Sequence, residues 1–211
     1  MIVTSLERQP RRRRVNVFVD GRFALSLTLS LAQEKGLHAG MALDEGQLDR
    51  LRAEDERRVA YEAAIHLLSY RPRSEREMGQ RLRRRGVGPD VIEETVQRLR
   101  ESHYLDDDAF AQFWRESRQA LSPRSGRLIR SELLSKGVDS ETATSTVEGL
   151  DDEEAAYRAA SKRLKSVLGE DFGAFRRRLG GFLIRRGFNY NVVKRTLERC
   201  WLEIGGSESP E

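Results

Sequence analysis

Arginine is the residue type in this chain whose abundance and spacing could do chemistry. Arg81, Arg83, Arg84 and Arg85 fall within five positions, and Arg176, Arg177 and Arg178 are followed by Arg185 and Arg186. A guanidinium is a planar fork of N–H donors that matches phosphate or carboxylate oxygens two at a time. One or two cations at a helix C-terminus satisfy the helix dipole. Groups as dense as these repel one another unless a polyanion neutralises them, which points to phosphate recognition. The plainer alternative is a solvated helix face.

Other constellations are weak. Asp106, Asp107 and Asp108 could suggest a carboxylate metal site, but acids at the start of a helix cap it and favour its positive end. His38, His66 and His103 lack ligand spacing, and His66 reads as a partly buried helix residue. Gly86-Val87-Gly88 follows no strand, so it is not a dinucleotide loop. Cys200 reads as a small buried hydrophobe. Nothing here makes a catalytic, metal or cofactor site, so no enzyme and no cofactor is expected.

The elements that must position the arginines repeat. Gly86, Gly137 and Gly187 lie 51 and 50 residues apart. Apolar residues align around them: Met78/Ile129/Leu179, Leu82/Leu133/Leu183, Val87/Val138/Phe188, Ile92/Ala143/Val193, Val96/Val147/Leu197 and Leu99/Leu150/Cys200. A period near 50 means one supersecondary unit used repeatedly, each burying its neighbour's apolar face. Each unit reads as three helices, the second ending at the glycine in left-handed geometry. Ser74 with Glu77 forms a capping box opening the second helix of the first unit, and Pro89 suits the first position of the next helix. Pro72-Arg73-Ser74 recurs as Pro123-Arg124-Ser125, while the third unit has Gly173-Ala174-Phe175 instead. The stripes predict that Leu82, Leu133, Val96 and Val147 are buried, together with Phe110.

The N-terminal segment differs. Val15, Val17 and Val19 alternate with Asn16 and Phe18, then Asp20-Gly21 leads into Phe23, Leu25, Leu27 and Leu29. Two period-2 runs joined by Asp-Gly predict a β-hairpin with a type I′ turn. Ser30 to Lys35 predicts a short helix ended by Gly36, and Met41 to Leu43 a third short strand. Asp44 with Gln47 resembles a capping box opening a charged helix. Apolar residues make up 38% and charged ones 34%, enough for several thin cores but not one large one. Net charge is +4, distributed as basic stretches over 71–100 and 169–204 around an acidic one over 101–121. No 18-residue apolar run or secretory signal is visible, and a lone cysteine fits a reducing compartment. A cytoplasmic location with no membrane partner is therefore expected. The residues after Ile204 read as a mobile polar tail.

Ser102-His103-Tyr104-Leu105-Asp106-Asp107-Asp108-Ala109-Phe110-Ala111, followed by Phe113 and Arg118, resembles the central motif of the RecX family, bacterial regulators of the RecA recombinase. Arg71 to Met78, with Leu82 and Gly86, resembles that family's first-repeat motif, and Val17 to Gly21 the hairpin extension of its longer members. His103 stands where a glycine is usual. The resemblance covers residues 12 to 202. It implies a mainly α fold: three tandem three-helix repeats forming an elongated curved array, after a small N-terminal β-hairpin extension. The expected segments are 1–55 (extension and linking helix), 56–104, 105–150 and 151–204 (repeats) and 205–211 (tail). It also implies a non-enzymatic monomer that binds RecA filaments on single-stranded DNA. Such a protein limits filament growth or promotes disassembly, lowering recombinase, ATPase and coprotease activity; free single-stranded DNA is held weakly or within the filament. Candidates for filament and DNA contact are Arg71, Arg73, Arg76, Arg81, Arg83, Arg84, Arg85, Arg124, Arg127, Arg176, Arg177, Arg178, Arg185 and Arg186. Candidates for RecA contact are Tyr104, Asp107, Asp108, Arg115 and Arg118. The alternative is an autonomous nucleic-acid-binding helical module, because three-helix units with a basic second helix resemble helix-turn-helix domains.

Overall fold

A computed structural model describes residues 1–169 and 171–205. Three antiparallel strands, β1 (Val3–Arg8), β2 (Arg14–Val19) and β3 (Arg22–Thr28), precede α1 (Leu29–Glu34) and α2 (Glu45–Leu68). Helices α3 (Glu75–Arg83) and α4 (Pro89–Glu101) complete the first repeat with α2. The second repeat is α5 (Asp107–Leu121), α6 (Gly126–Ser135) and α7 (Ser140–Val147). The third is α8 (Asp152–Leu164), a composite second helix and α11 (Tyr190–Glu203). That composite runs through α9 (Phe172–Phe175), a π-helical segment Arg176–Gly180 and α10 (Gly181–Arg185). The chain divides into two compact units: Met1–Arg71 with Met78–Tyr104, and Pro72–Glu77 with the residues from Leu105 onward.

In the first unit the sheet order is β1-β2-β3. Asp20 and Gly21 take φ of 48° and 79°, the positive pair that a type I′ turn requires. The alternation puts Val15, Val17, Val19, Leu25 and Leu27 into one core with Leu31, Leu48 and Leu51. Asp55, buried on α2, ties helix to sheet: it accepts the Thr28 backbone N–H at 2.6 Å and Arg14 Nη2 at 2.8 Å. The box at Asp44 forms in both directions, Gln47 N to Asp44 Oδ1 at 2.6 Å and Asp44 N to Gln47 Oε1 at 2.7 Å. α2 then runs without a break through residues 55 and 56.

Several expectations need correction. The hairpin is joined by an additional strand, β1, whose Val-Thr-Ser-Leu-Glu-Arg sequence has no clean alternation. As an edge strand it commits only Val3 fully to the core. The strand expected over Met41–Leu43 reduces to a single bridge between Ile2 and Ala42, and Leu29 already belongs to α1. His66 is exposed, edge-on to Tyr70. Val96 and Val147 are only half-buried. The residues facing the core one position earlier are Thr95, Thr146 and Thr196, each nine residues after its repeat glycine. Thr146 and Thr196 donate their hydroxyls to the carbonyls of Thr142 and Val192 at 2.6 and 2.7 Å, so their polar groups need no solvent. The polar tail beyond Gly205 lies outside the described residues.

The other columns are core. Met78, Leu82, Ile129, Leu133, Leu179 and Leu183 are all buried, as is Phe110. In the third repeat, Ala155, Ala156, Ala159 and Ala160 give α8 a small-residue face against which α11 packs with Val192, Val193, Leu197 and Cys200. Among the described residues, no helix is long and apolar enough to cross a membrane.

Candidate nucleic-acid interface

Each second helix ends in the same hydrogen-bonded turn. The glycines at 86, 137 and 187 have φ of 83°, 91° and 88°. The next residue's N–H returns to the carbonyl five residues earlier: Val87 to Leu82, Val138 to Leu133 and Phe188 to Leu183. This Schellman closure needs left-handed backbone at the penultimate position. A fourth copy ends α4, where Tyr104 N reaches Leu99 O at 2.8 Å with His103 at φ 56°. The geometry a glycine would adopt freely is therefore kept by a histidine, at a backbone cost.

The closures do a second job inside the second unit. Ser74 Oγ accepts from Glu77 N at 3.1 Å and donates to Lys136 O at 2.7 Å, beside Gly137. One repeat later, Ser125 Oγ accepts from Leu128 N at 3.1 Å, and the Ser125 N–H donates to Arg186 O at 3.1 Å, beside Gly187. Two aspartates complete the pattern: Asp107 Oδ1 accepts from Glu75 N at 2.9 Å and Asp152 Oδ1 from Gly126 N at 2.8 Å. Thus the start of one second helix is capped by its own serine and by an acid opening the next repeat. It is also docked on the next repeat's C-terminal glycine. Both serines are fully buried. Here the recurrence of Pro-Arg-Ser has its cause: the third repeat has no successor to dock on, and its second helix opens on Asp171 instead.

These constraints sort the candidate residues. Arg73 is buried and pairs with Glu77 at 2.6 Å. Arg118 Nε donates to Glu132 at 2.8 Å, Arg124 pairs with the same carboxylate, and Trp114 Nε1 donates to it at 2.7 Å. Arg118 and Lys136 each stack about 4 Å from the centre of the Trp114 ring. Arg115 donates to Thr146 O, Arg127 to Gly187 O, and Arg186 to Ser122 Oγ and Pro123 O. Desolvation lowers the pKa of Arg118, Arg124 and Arg186, and cationic neighbours lower the last two further. Glu132, the hub of this network, was invisible in the sequence because its partners come from three elements.

Asp107 is half-buried, and loss of solvation raises its pKa despite the Glu75 N–H. Asp108 is exposed and accepts from Thr142 Oγ1 at 2.8 Å. Tyr104 is 58% exposed. Arg71 is half-buried, and Arg76 lays its aliphatic stem over Gly137. What remains fully on the surface is two arginine sets, one in each unit. Arg81, Arg83, Arg84 and Arg85 lie at the end of α3, and Arg176, Arg177, Arg178 and Arg185 flank the π segment. Among the described residues, Arg81, Arg83, Arg84, Arg85, Arg176, Arg177 and Arg185 have no carboxylate partner.

Four family models describe this succession. The RecX N-terminal domain matches residues 1–44, and the first, second and third three-helix domains of RecX match 60–99, 106–146 and 151–197. A protein of Bacillus licheniformis named Regulatory protein RecX is 30% identical over 188 residues, covering 88% of this chain and 72% of that one. The chain belongs to the RecX family. The protein of that name from Geobacillus thermodenitrificans is 31% identical, covering 90% of this chain and 73% of its own length. A crystal structure of regulatory protein RecX superposes with a TM-score of 0.63 at 22% identity, over 92% of this chain and 98% of the other. The mainly α architecture of three-helix RecX domains after a small antiparallel sheet is therefore this family's fold.

Proposed function

We propose that this chain is a non-enzymatic regulator of a RecA-type recombinase. It binds the RecA filament on single-stranded DNA and lowers recombinase, ATPase and coprotease activity by limiting filament growth or promoting disassembly. Membership of the RecX family supports the partner. The observation that carries the mode of binding is the pair of uncompensated arginine sets. Cations without acids gain most from a polyanion, because releasing its condensed counterions drives association. The acidic first turn of α5 and exposed Tyr104 form the complementary candidate for protein contact, since a filament presents protein as well as phosphate. The inward-turned Arg73, Arg115, Arg118, Arg124 and Arg186 act as supports that hold the repeats in register.

RecA-catalysed ATP hydrolysis on single-stranded DNA, measured with increasing amounts of this protein, tests the reading. Wild type should inhibit. Replacing Arg81, Arg83, Arg84 and Arg85 by Gln should weaken inhibition and flatten its salt dependence while circular dichroism stays unchanged. Undiminished inhibition by the folded variant from about 50 to 200 mM salt would make these arginines a solvated face. Tight sequence-specific DNA binding without RecA, and no effect on its ATPase, would favour the autonomous nucleic-acid module.

A further inference from the structure

The third repeat contains a feature that its two predecessors lack. Its second helix passes through the π segment Arg176–Gly180, where the hydrogen-bond ladder accommodates an extra residue. Gly180 permits this: a Cβ there would stand 3.3 Å from Leu197 Cδ1, so α11 approaches the bulge directly. The bulge changes which side chains share a face. Arg178 and Arg185 are seven residues apart, two α-helical turns; Arg177 and Arg185 are eight apart, two turns plus the one added residue. Both Arg177 and Arg178 can therefore face the same side as Arg185.

That side is concave. A half-open cavity of about 200 Å³ lies there, with Arg177, Arg178 and Arg185 on one wall and Arg163, from the end of α8, on the other. Its floor is the buried pair Val167 and Leu179. Arg163 is held in place over the Phe182 ring at 4.8 Å. No carboxylate among the described residues lines it. The contrast with the rest of the repeat is sharp: Arg158, Lys194, Arg195 and Arg199 each have an acid within ion-pair distance. Four guanidinium groups are gathered around an apolar floor, where lower dielectric strengthens their attraction for an anion. Guanidinium forks pair bidentately with phosphate oxygens.

We propose that this cavity is a phosphate-binding site, and that the group it seats is one backbone phosphate of the single strand. The second half of the statement rests on the regulatory reading above; the first does not. The π bulge is then what converts a row of surface cations into a pocket. One strand phosphate fixed there sets the register of the third repeat on the nucleic acid, while the arginines of α3 supply diffuse attraction.

The test uses the full chain with inorganic phosphate as probe at constant ionic strength, followed through the arginine Nε–Hε resonances. Saturable shifts confined to Arg163, Arg177, Arg178 and Arg185 are expected. Arg177→Gln with Arg185→Gln should weaken phosphate binding about tenfold or more. Arg195→Gln, which removes a paired cation from the same repeat, should leave it unchanged. Non-saturating shifts, or equal weakening by R195Q, would overturn the site. A second arm measures fluorescence anisotropy of labelled oligothymidylate: phosphate should compete, and the double variant should bind the strand more weakly. Saturable phosphate binding without competition would overturn the strand assignment and leave a site for a free small oxyanion. Wild type that inhibits RecA but binds no phosphate removes the cavity and not the regulatory reading. Wild type that binds phosphate but leaves RecA ATPase untouched does the reverse.

Discussion

The three repeat glycines provide an experiment with its own internal control. Gly86, Gly137 and Gly187 close identical turns with φ within a few degrees of 90°, so replacing any of them by Ala imposes the same left-handed penalty, about 1–2 kcal/mol. Their surroundings differ. A Cβ at Gly86 meets nothing within 4 Å. At Gly137 it would stand 2.5 Å from Arg76 Cβ, and at Gly187 2.5 Å from Ser125 Oγ and 2.6 Å from Leu128 Cβ. Those atoms sit close to the backbone of the docked helix and cannot swing aside. The helix start must move, straining the Ser74–Lys136 hydrogen bond in one case and the Ser125–Arg186 bond in the other. Overpacking of this kind costs about 1–3 kcal/mol more. Gly86→Ala should therefore lose about 1–2 kcal/mol, and Gly137→Ala and Gly187→Ala about 2–5. Urea unfolding followed by far-ultraviolet circular dichroism, with the denaturant slope recorded, measures all three. If the two seam variants lose no more than Gly86→Ala, the glycines serve only their own turns, and repeat-to-repeat docking contributes nothing to stability.

Other expectations follow from single groups. Asp107→Asn should be nearly neutral at pH 7, because Asn keeps the acceptor for Glu75 N and removes a poorly solvated charge; Asp107→Ala should lose about 1 kcal/mol. Since the folded-state pKa of Asp107 is raised, its charge penalty exists above that pKa and is relieved as pH falls through it. Melts of wild type and Asp107→Asn should thus converge, or cross in favour of wild type, on acidification. Burial pushes the Cys200 thiol up to about 11, so it stays protonated and inert to thiol reagents at pH 8. Rapid labelling of the native chain would contradict that. His103→Gly should raise stability by about 1 kcal/mol by relieving left-handed strain, read as a higher thermal midpoint; an unchanged or lower midpoint would place a compensating contact at His103.

What was legible in the sequence was whatever rests on local periodicity. The glycine-centred register, the Asp44 box, the Asp20-Gly21 turn and the stripes through Leu82, Leu133 and Leu183 are set by backbone preferences and helical spacing, which act within a few residues of each other. The arginine clusters were legible as density, but not as partners. Whether Arg73, Arg118 or Arg186 faces inward depends on where Glu77, Glu132 and Pro123 arrive, and that is fixed only by packing. The buried threonine column was missed because half-turn differences between positions 95 and 96 are smaller than a stripe can resolve. β1 was missed because an edge strand needs only one committed side chain. Tertiary structure alone decided that Asp107 caps a helix 32 residues earlier in the chain. It alone decided that the serines of Pro-Arg-Ser are docking groups, and that an extra residue in one turn gathers four arginines around a cavity. Hydrogen bonds and charges between distant segments take their value from desolvation and geometry, and neither exists until the repeats have packed.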